Sequence, residues 1–164
     1  MSRQHLDGRE FRRALGCFAT GVTVVTTVGR AGVYAGLTVN SFNALSLEPA
    51  LVLWSLGVAS TLRHDFEAAS HFAVNVLSDG QIALSRRFAS RAAHTFANID
   101  VRSGAGGAPL LRDCAAWFEC RTVSHERHGD HLLFIGEVER FAATPRKPLL
   151  FLHGHYAAAG KRVI

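Results

Sequence analysis

Gly21-Val-Thr-Val-Val-Thr-Thr-Val28 is β-branched at every position after its glycine, and branched side chains favour the pleated surface of a strand over a helix. Gly29-Arg-Ala-Gly32 then supplies turn chemistry, and residues 33–40 return as the partner strand, so the segment predicts an antiparallel hairpin. Upstream, Phe11, Leu15 and Phe18 recur at helical spacing and predict a short amphipathic helix over about residues 7–17.

Downstream the strand signal dominates. Leu51-Val-Leu-Trp-Ser-Leu56 is an apolar run between Pro49 and Gly57 and reads as a buried strand. Ser60 or Thr61 is placed to cap a helix running to about residue 70, and residues 71–77 form another strand. Ser78-Asp-Gly-Gln81 is a capping box opening a helix that carries Ile82, Leu84 and Phe88. A second helical piece is expected over residues 92–98 and a glycine-rich loop over 103–109. Residues 116–126 alternate Phe118, Cys120 and Thr122 against Trp117, Glu119 and Arg121, a period of two. His128-Gly129-Asp130 turns that strand into a second over 131–142, and a last apolar strand covers 149–152. Six or seven strands with two or three helices predict a mainly β fold with decorating helices, an antiparallel barrel.

The 164 residues suffice for one well-cored domain spanning 1–164 and are too few for two comfortable ones. A chain 48% hydrophobic and 19% charged is not a disordered one. Its net charge of +5 favours an anionic ligand, with nucleic acid one candidate among several. Cys17, Cys114 and Cys120 include no close CxxC pair, so a reducing, cytoplasmic setting is expected. No apolar run reaches the ~18 residues of a membrane helix. Residues 15–28 follow Arg12-Arg13 as a signal h-region would, but Asp7, Glu10 and the Thr/Val content argue for a strand and against a cleaved leader.

GxGxxG, P-loop, GxSxG and HExxH patterns are missing, which disfavours a dinucleotide on a doubly wound sheet. His125, His128 and His131 lie three apart and His153 and His155 two apart, without a Cys or carboxylate at ligand spacing. They read as structural or exposed histidines rather than a metal site. Glu137 and Glu139 read as a solvated strand face, and Cys17, between Leu15 and Phe18, as a packing residue. More informative is Gly36-Leu-Thr-Val-Asn-Ser-Phe-Asn-Ala-Leu-Ser46, which sets Thr38, Asn40, Ser41, Asn43 and Ser46 close together after a strand. Short polar side chains and free amides there would make a neutral cradle for phosphate oxygens or a heteroaromatic edge; the alternative is a plain Asn/Ser turn. Ser60-Thr61 at a helix start offers a second anion site or a simple N-cap.

The opening from Phe11 to Thr27 resembles that of the short-chain flavin reductases, the FMN-binding split-barrel family of reductase components in two-component flavin-dependent monooxygenases. Gly36-Leu-Thr-Val-Asn-Ser-Phe42 is similar to that family's flavin loop, and Leu45-Ser-Leu-Glu-Pro49 and Leu51-Val-Leu53 continue in register. Phe72-Ala-Val-Asn-Val-Leu77, Phe88-Ala, Gly129-Asp-His131, Gly136-Glu-Val138 and the stretch from Pro148 to Tyr156 complete the likeness over about residues 8–158.

The resemblance implies an antiparallel split β-barrel of flavin-reductase-like fold and an NAD(P)H:flavin oxidoreductase. Hydride would pass from NADH or NADPH to FMN or FAD, and the reduced flavin would go to a separate monooxygenase component. It also implies a homodimer with flavin near the subunit interface. Leu37, Thr38, Val39, Asn40 and Ser41, with Asn43 and Ala44 beyond them, match the flavin-binding segment. Ala59, Ser60 and Thr61 match the phosphate side, and Phe88 a helix contact. His131 and Tyr156 match positions associated with the nicotinamide nucleotide, which makes His131 the candidate catalytic residue, in a positioning role. Pro49-Ala50 stands where the family commonly has Pro-Pro, and residues 57–60 fall in a variable stretch. Two rivals remain at this level. One is a flavin- or haem-binding module without turnover. The other is a basic barrel for single-stranded nucleic acid, which would want exposed aromatics among Arg or Lys, whereas Phe118 and Phe134 sit in apolar runs.

Overall fold

Asp7, the first residue described, accepts the Arg9 N–H at 2.8 Å and caps α1 (Gly8–Leu15), as a short acidic side chain does best. The computed structural model describes residues 7–90 and 96–160. β1 (Thr20–Gly21) leads into β2 (Thr23–Val28), which pairs antiparallel with β3 (Tyr34–Val39), Thr23 opposite Val39 and Val28 opposite Tyr34. The β-branched hairpin is therefore formed as its sequence predicts. β4 (Asn43–Leu47) and β5 (Ala50–Gly57) make a second hairpin, followed by α2 (Arg63–Ala68) and β6 (His71–Val76). The Ser78/Gln81 capping box is present around a 3-10 turn that enters α3 (Ile82–Ala89). β7 (Val101–Ser103) and β8 (Pro109–Leu111) pair with each other. The long hairpin β9 (Ala116–His128) and β10 (His131–Ala143) comes next, and β11 (Leu149–Leu152) and β12 (His155–Ala158) end the described chain.

Seven strands form one antiparallel sheet in the order β3-β2-β6-β9-β10-β5-β4, and β1-β11-β12 form a second. The large sheet curls until β3 and β5 approach. There the Ser41 hydroxyl accepts the Ser55 N–H at 2.9 Å and lies 3.3 Å from the Ser55 carbonyl. One side-chain bridge thus stands where a closed barrel would continue its ladder, and the result is an antiparallel split β-barrel. Inside it, Trp54 of β5 stacks on its cross-strand partner Phe134 of β10, centroids 4.6 Å apart, while Phe66 and Phe72 meet Trp54 edge-on. All four rings are buried, and each such pair adds about 0.5–1.5 kcal/mol beyond area burial. A second cluster, Val22, Val24, Leu77, Phe88, Leu111, Cys114 and Leu149, lies between the large sheet, α3 and the second sheet.

Several expectations are corrected. The helix expected from Ser60 or Thr61 begins only at Arg63, with Leu62 at its N-cap and no side-chain cap. The Ser60 hydroxyl accepts the Leu62 N–H within the preceding turn instead. Residues 43–47 are a strand rather than a turn, because pairing with β5 satisfies their backbone better than local side-chain bonds can. The glycine-rich loop is present as expected, but it connects the β7–β8 pair, which with β1 and β12 is too short to carry a periodicity readable from sequence. Of the helical piece expected over 92–98, residues 92–95 lie outside the described residues, and 97–98 form a turn. α1 forms, but its apolar stripe meets no core: Phe11, Leu15 and Phe18 are 54%, 57% and 72% exposed. Cys17 follows the same rule and is exposed, whereas Cys114 and Cys120 are buried.

Gly136 of β10 passes so close to the Phe72 ring that a Cβ there would lie 2.8 Å from Phe72 Cε1 and 3.0 Å from Cys120 Cβ. Gly136→Ala should cost about 1–3 kcal/mol of overpacking, read from denaturant unfolding; an unchanged midpoint contradicts the close approach. Burial pushes the Cys114 and Cys120 thiols up to about 12. In the native protein at pH 8 a thiol reagent should therefore label Cys17 alone quickly, and all three cysteines after denaturation; rapid native labelling of a second thiol contradicts the burial.

Candidate functional site

β3 ends the large sheet, so one row of its backbone N–H and C=O groups faces away from β2 without a ladder partner. Three adjoining cavities run along that edge. The middle one, about 190 Å³, lies between Thr38, Val39 and Asn40 on one side and Ser85, Phe151 and Tyr156 on the other. It shares Thr38 and Ala89 with a cavity of about 260 Å³ that reaches Gly57, Ala59, Ser60 and Thr61. It shares Asn40 and Phe151 with one of about 480 Å³ that extends to Arg12, Leu15 and Phe18 beside α1.

The walls of this cleft are set by a bare backbone and a short hydrogen-bond chain. Gly36 has no side chain where a Cβ would lie 3.1 Å from Phe96 Cζ and 3.2 Å from Phe88 Cε1, so α3 closes directly onto β3. Two residues on, the Thr38 hydroxyl donates to the Ser85 carbonyl at 2.7 Å. The Ser85 hydroxyl in turn lies 3.0 Å from the Tyr156 hydroxyl. β3, α3 and β12 are thereby tied in series, and the Tyr156 ring is held edge-on to Phe151 and beneath the Arg86 guanidinium. Ser85 is wholly buried and was not singled out by the sequence reading. Its signal was a polar residue three positions from Ile82 and three from Phe88, on the apolar stripe of α3.

Of the residues singled out by sequence, Leu37, Thr38, Val39, Asn40, Ala59, Ser60, Thr61, Phe88 and Tyr156 all line the middle cavity or its neighbour. Phe88 does so as a floor, being itself fully buried against Phe96. Ser41 is engaged in the barrel bridge. Asn43 and Ala44 stand apart on exposed β4, where the Asn43 side chain accepts the Ala44 N–H. His131 pairs in register with Gly57, and its Nε2 lies 3.9 Å from where a Gly57 Cβ would be. Gly57 itself lines the cavity that reaches Ser60. His131 Nδ1 lies 2.8 Å from the Asp130 carboxylate, and this hydrogen bond holds Asp130 below the usual carboxylate range. An ionised carboxylate only accepts, so Nδ1 carries the proton and, among the described residues, Nε2 is left unbonded on the Gly57 side.

The remaining polar residues find other uses. Glu137 pairs with Arg121, and Glu139 lies 3.5 Å from His71. His155 bonds the His153 carbonyl, and His125 packs on Phe134. Among the described residues no three His, Cys, Asp or Glu side chains gather as a metal site. No described helix is long and apolar enough to cross a membrane. Among the described residues the middle cavity and its Ser60 neighbour are lined without a single charged side chain. Such a cleft suits a planar, hydrogen-bonding ligand whose charge lies at its ends.

Residues 15–160 match the family model described as "Flavin reductase like domain". The chain is 43% identical to the FMN reductase (NADH) of Agrobacterium fabrum, over 92% of this chain and 85% of that protein. It is 40% identical to the reductase component of the flavin-dependent trigonelline monooxygenase of Acinetobacter baylyi, over 93% of this chain and 49% of that one. It spans about half the length of that relative and of one other, the latter from Rhizobium meliloti. Among solved structures, the Streptomyces globisporus NADH:FAD oxidoreductase in complex with NAD and FAD fragments superposes with a TM-score of 0.89 at 35% identity, covering 99% of this chain and all of that one. On the strength of fold, matched length and identity, the chain belongs to the flavin reductase family.

Proposed function

We propose that this chain, acting as one domain, is an NAD(P)H:flavin oxidoreductase that supplies reduced flavin to a separate monooxygenase component. The observation that carries the reading is the neutral cleft along the free edge of β3, which brings together nine of the positions matched to the family's cofactor segments. When bound, the nicotinamide and the flavin (FMN or FAD) supply the hydride donor and acceptor, so the protein needs no nucleophile and no acid–base dyad. Its task is to hold two rings in near-contact and exclude water.

The residues divide that task by their hydrogen-bond state. The unladdered backbone groups of residues 37–39 offer donors and acceptors to a heteroaromatic edge. Thr38 has its proton committed to Ser85, so towards a ligand its oxygen only accepts. Ser60 already accepts from Leu62, so its own proton is free to donate to a phosphate oxygen. Tyr156 walls one side of the cleft, and His131 offers Nε2 to a carboxamide or a flavin oxygen. Asn43 and Ala44 have no such part in a single chain.

We further propose a homodimer. The apolar stripe of α1 and the edge strand β4, where Leu47 is 91% exposed, leave hydrophobic surface that a second copy would cover. Three free cysteines fit a reducing cytoplasm.

Purified protein should oxidise NADH or NADPH only when FMN, FAD or riboflavin is present. No flavin-dependent oxidation with either nicotinamide overturns the reading, and flavin binding without oxidation would assign the cleft to a binding module. Sedimentation at micromolar concentration should give a dimer; a monomer overturns the second proposal.

A further inference from the structure

The middle cavity and its Ser60 neighbour leave a charge problem that their own lining does not solve, and the one cation of the third cavity, Arg12, stands beyond Asn40 beside α1. Nucleotides carry phosphate, yet every residue around the middle cavity and its Ser60 neighbour is neutral. Arg63, in the first turn of α2, is already bonded to Glu67 at 3.0 Å. Arg86 is different. It is exposed in the last turn of α3, directly after the buried Ser85. Its guanidinium carbon sits 5.7 Å from the centroid of the Tyr156 ring, which walls the middle cavity. Among the described residues no carboxylate lies within ion-pair distance of it, although Arg30, Arg112, Arg121, Arg140 and Arg146 all have one.

We propose that Arg86 is the counter-cation for a nucleotide phosphate lying over the Tyr156 end of the cleft. The Ser85–Tyr156 hydrogen bond fixes the ring, and the ring holds the planar guanidinium by a cation–π contact. The unused N–H donors of that fork can then meet two phosphate oxygens. The assignment rests on the proposed nucleotide-binding role of the cleft and names the residue that would balance the charge there. The phosphate can belong to the nicotinamide dinucleotide or to the flavin, and the two are separable because riboflavin has none.

The test is calorimetric titration of NAD+, FMN and riboflavin into wild type, Arg86→Gln, Arg86→Lys and, as a charge control, Arg102→Gln. Loss of one charged hydrogen-bonded pair at an exposed site should weaken the affected ligand about tenfold. A loss for NAD+ alone puts the dinucleotide phosphate on Arg86. A loss for FMN with riboflavin unchanged puts the flavin phosphate there. In either case the difference between wild type and Arg86→Gln should shrink with added salt, Arg86→Lys should recover part of the affinity, and Arg102→Gln should bind as wild type does. Unchanged binding of NAD+ and FMN by Arg86→Gln overturns the assignment, as does an equal loss for riboflavin, which would mark a merely structural role. A wild-type chain that binds no nucleotide removes the functional reading as well, whereas wild-type binding matched by Arg86→Gln removes this assignment alone.

Discussion

The site depends on one edge of one strand staying open. β3 is paired only on its β2 side, and an unpaired strand edge ordinarily invites another strand or water. Here α3 and β12 hold a wall opposite the edge, tied through Thr38, Ser85 and Tyr156. Each hydrogen bond in that tie contributes about 1 kcal/mol. Their value lies in fixing the width of a slot that packing alone would tend to close. Ser41 does the corresponding work at the barrel seam, where it replaces a ladder with a single bridge to Ser55.

The parts of the fold legible in sequence were those with long, clean periodicity. The β2–β3 hairpin, β5, β6, the capping box into α3 and the β9–β10 hairpin all follow from alternation and turn chemistry. What stayed hidden is short or depends on distant partners. β1 spans two residues and exists because β11 pairs with it. β4 carries Asn43 and Ser46, residues that favour turns, and becomes a strand through its pairing with β5. The exposure of Phe11, Leu15, Phe18 and Cys17 was illegible for a related reason, since an apolar stripe shows that a helix face is to be covered without saying by what.

The site was legible as a segment rather than as a pocket. Thr38 and Asn40 stood out as short polar groups at a strand end, and resemblance supplied Ala59, Tyr156 and His131. Nothing local to those residues shows that Ser85 is the buried link between two of them, or that His131 stands opposite Gly57. The electrostatics are equally non-local. The +5 net charge is spread over arginines, six of which answer carboxylates elsewhere, and the middle cavity and its Ser60 neighbour are left neutral. A neutral slot with cations only towards its edges matches a ring system carrying a remote phosphate better than it matches a polyanion.

The most direct test of the open-edge account is amide hydrogen exchange across residues 37–41, compared with and without FMN. The account predicts slowed exchange in that segment on binding and no change in β7 and β8, which lie outside the cleft. Protection elsewhere with exchange at residues 37–41 unaltered would contradict it.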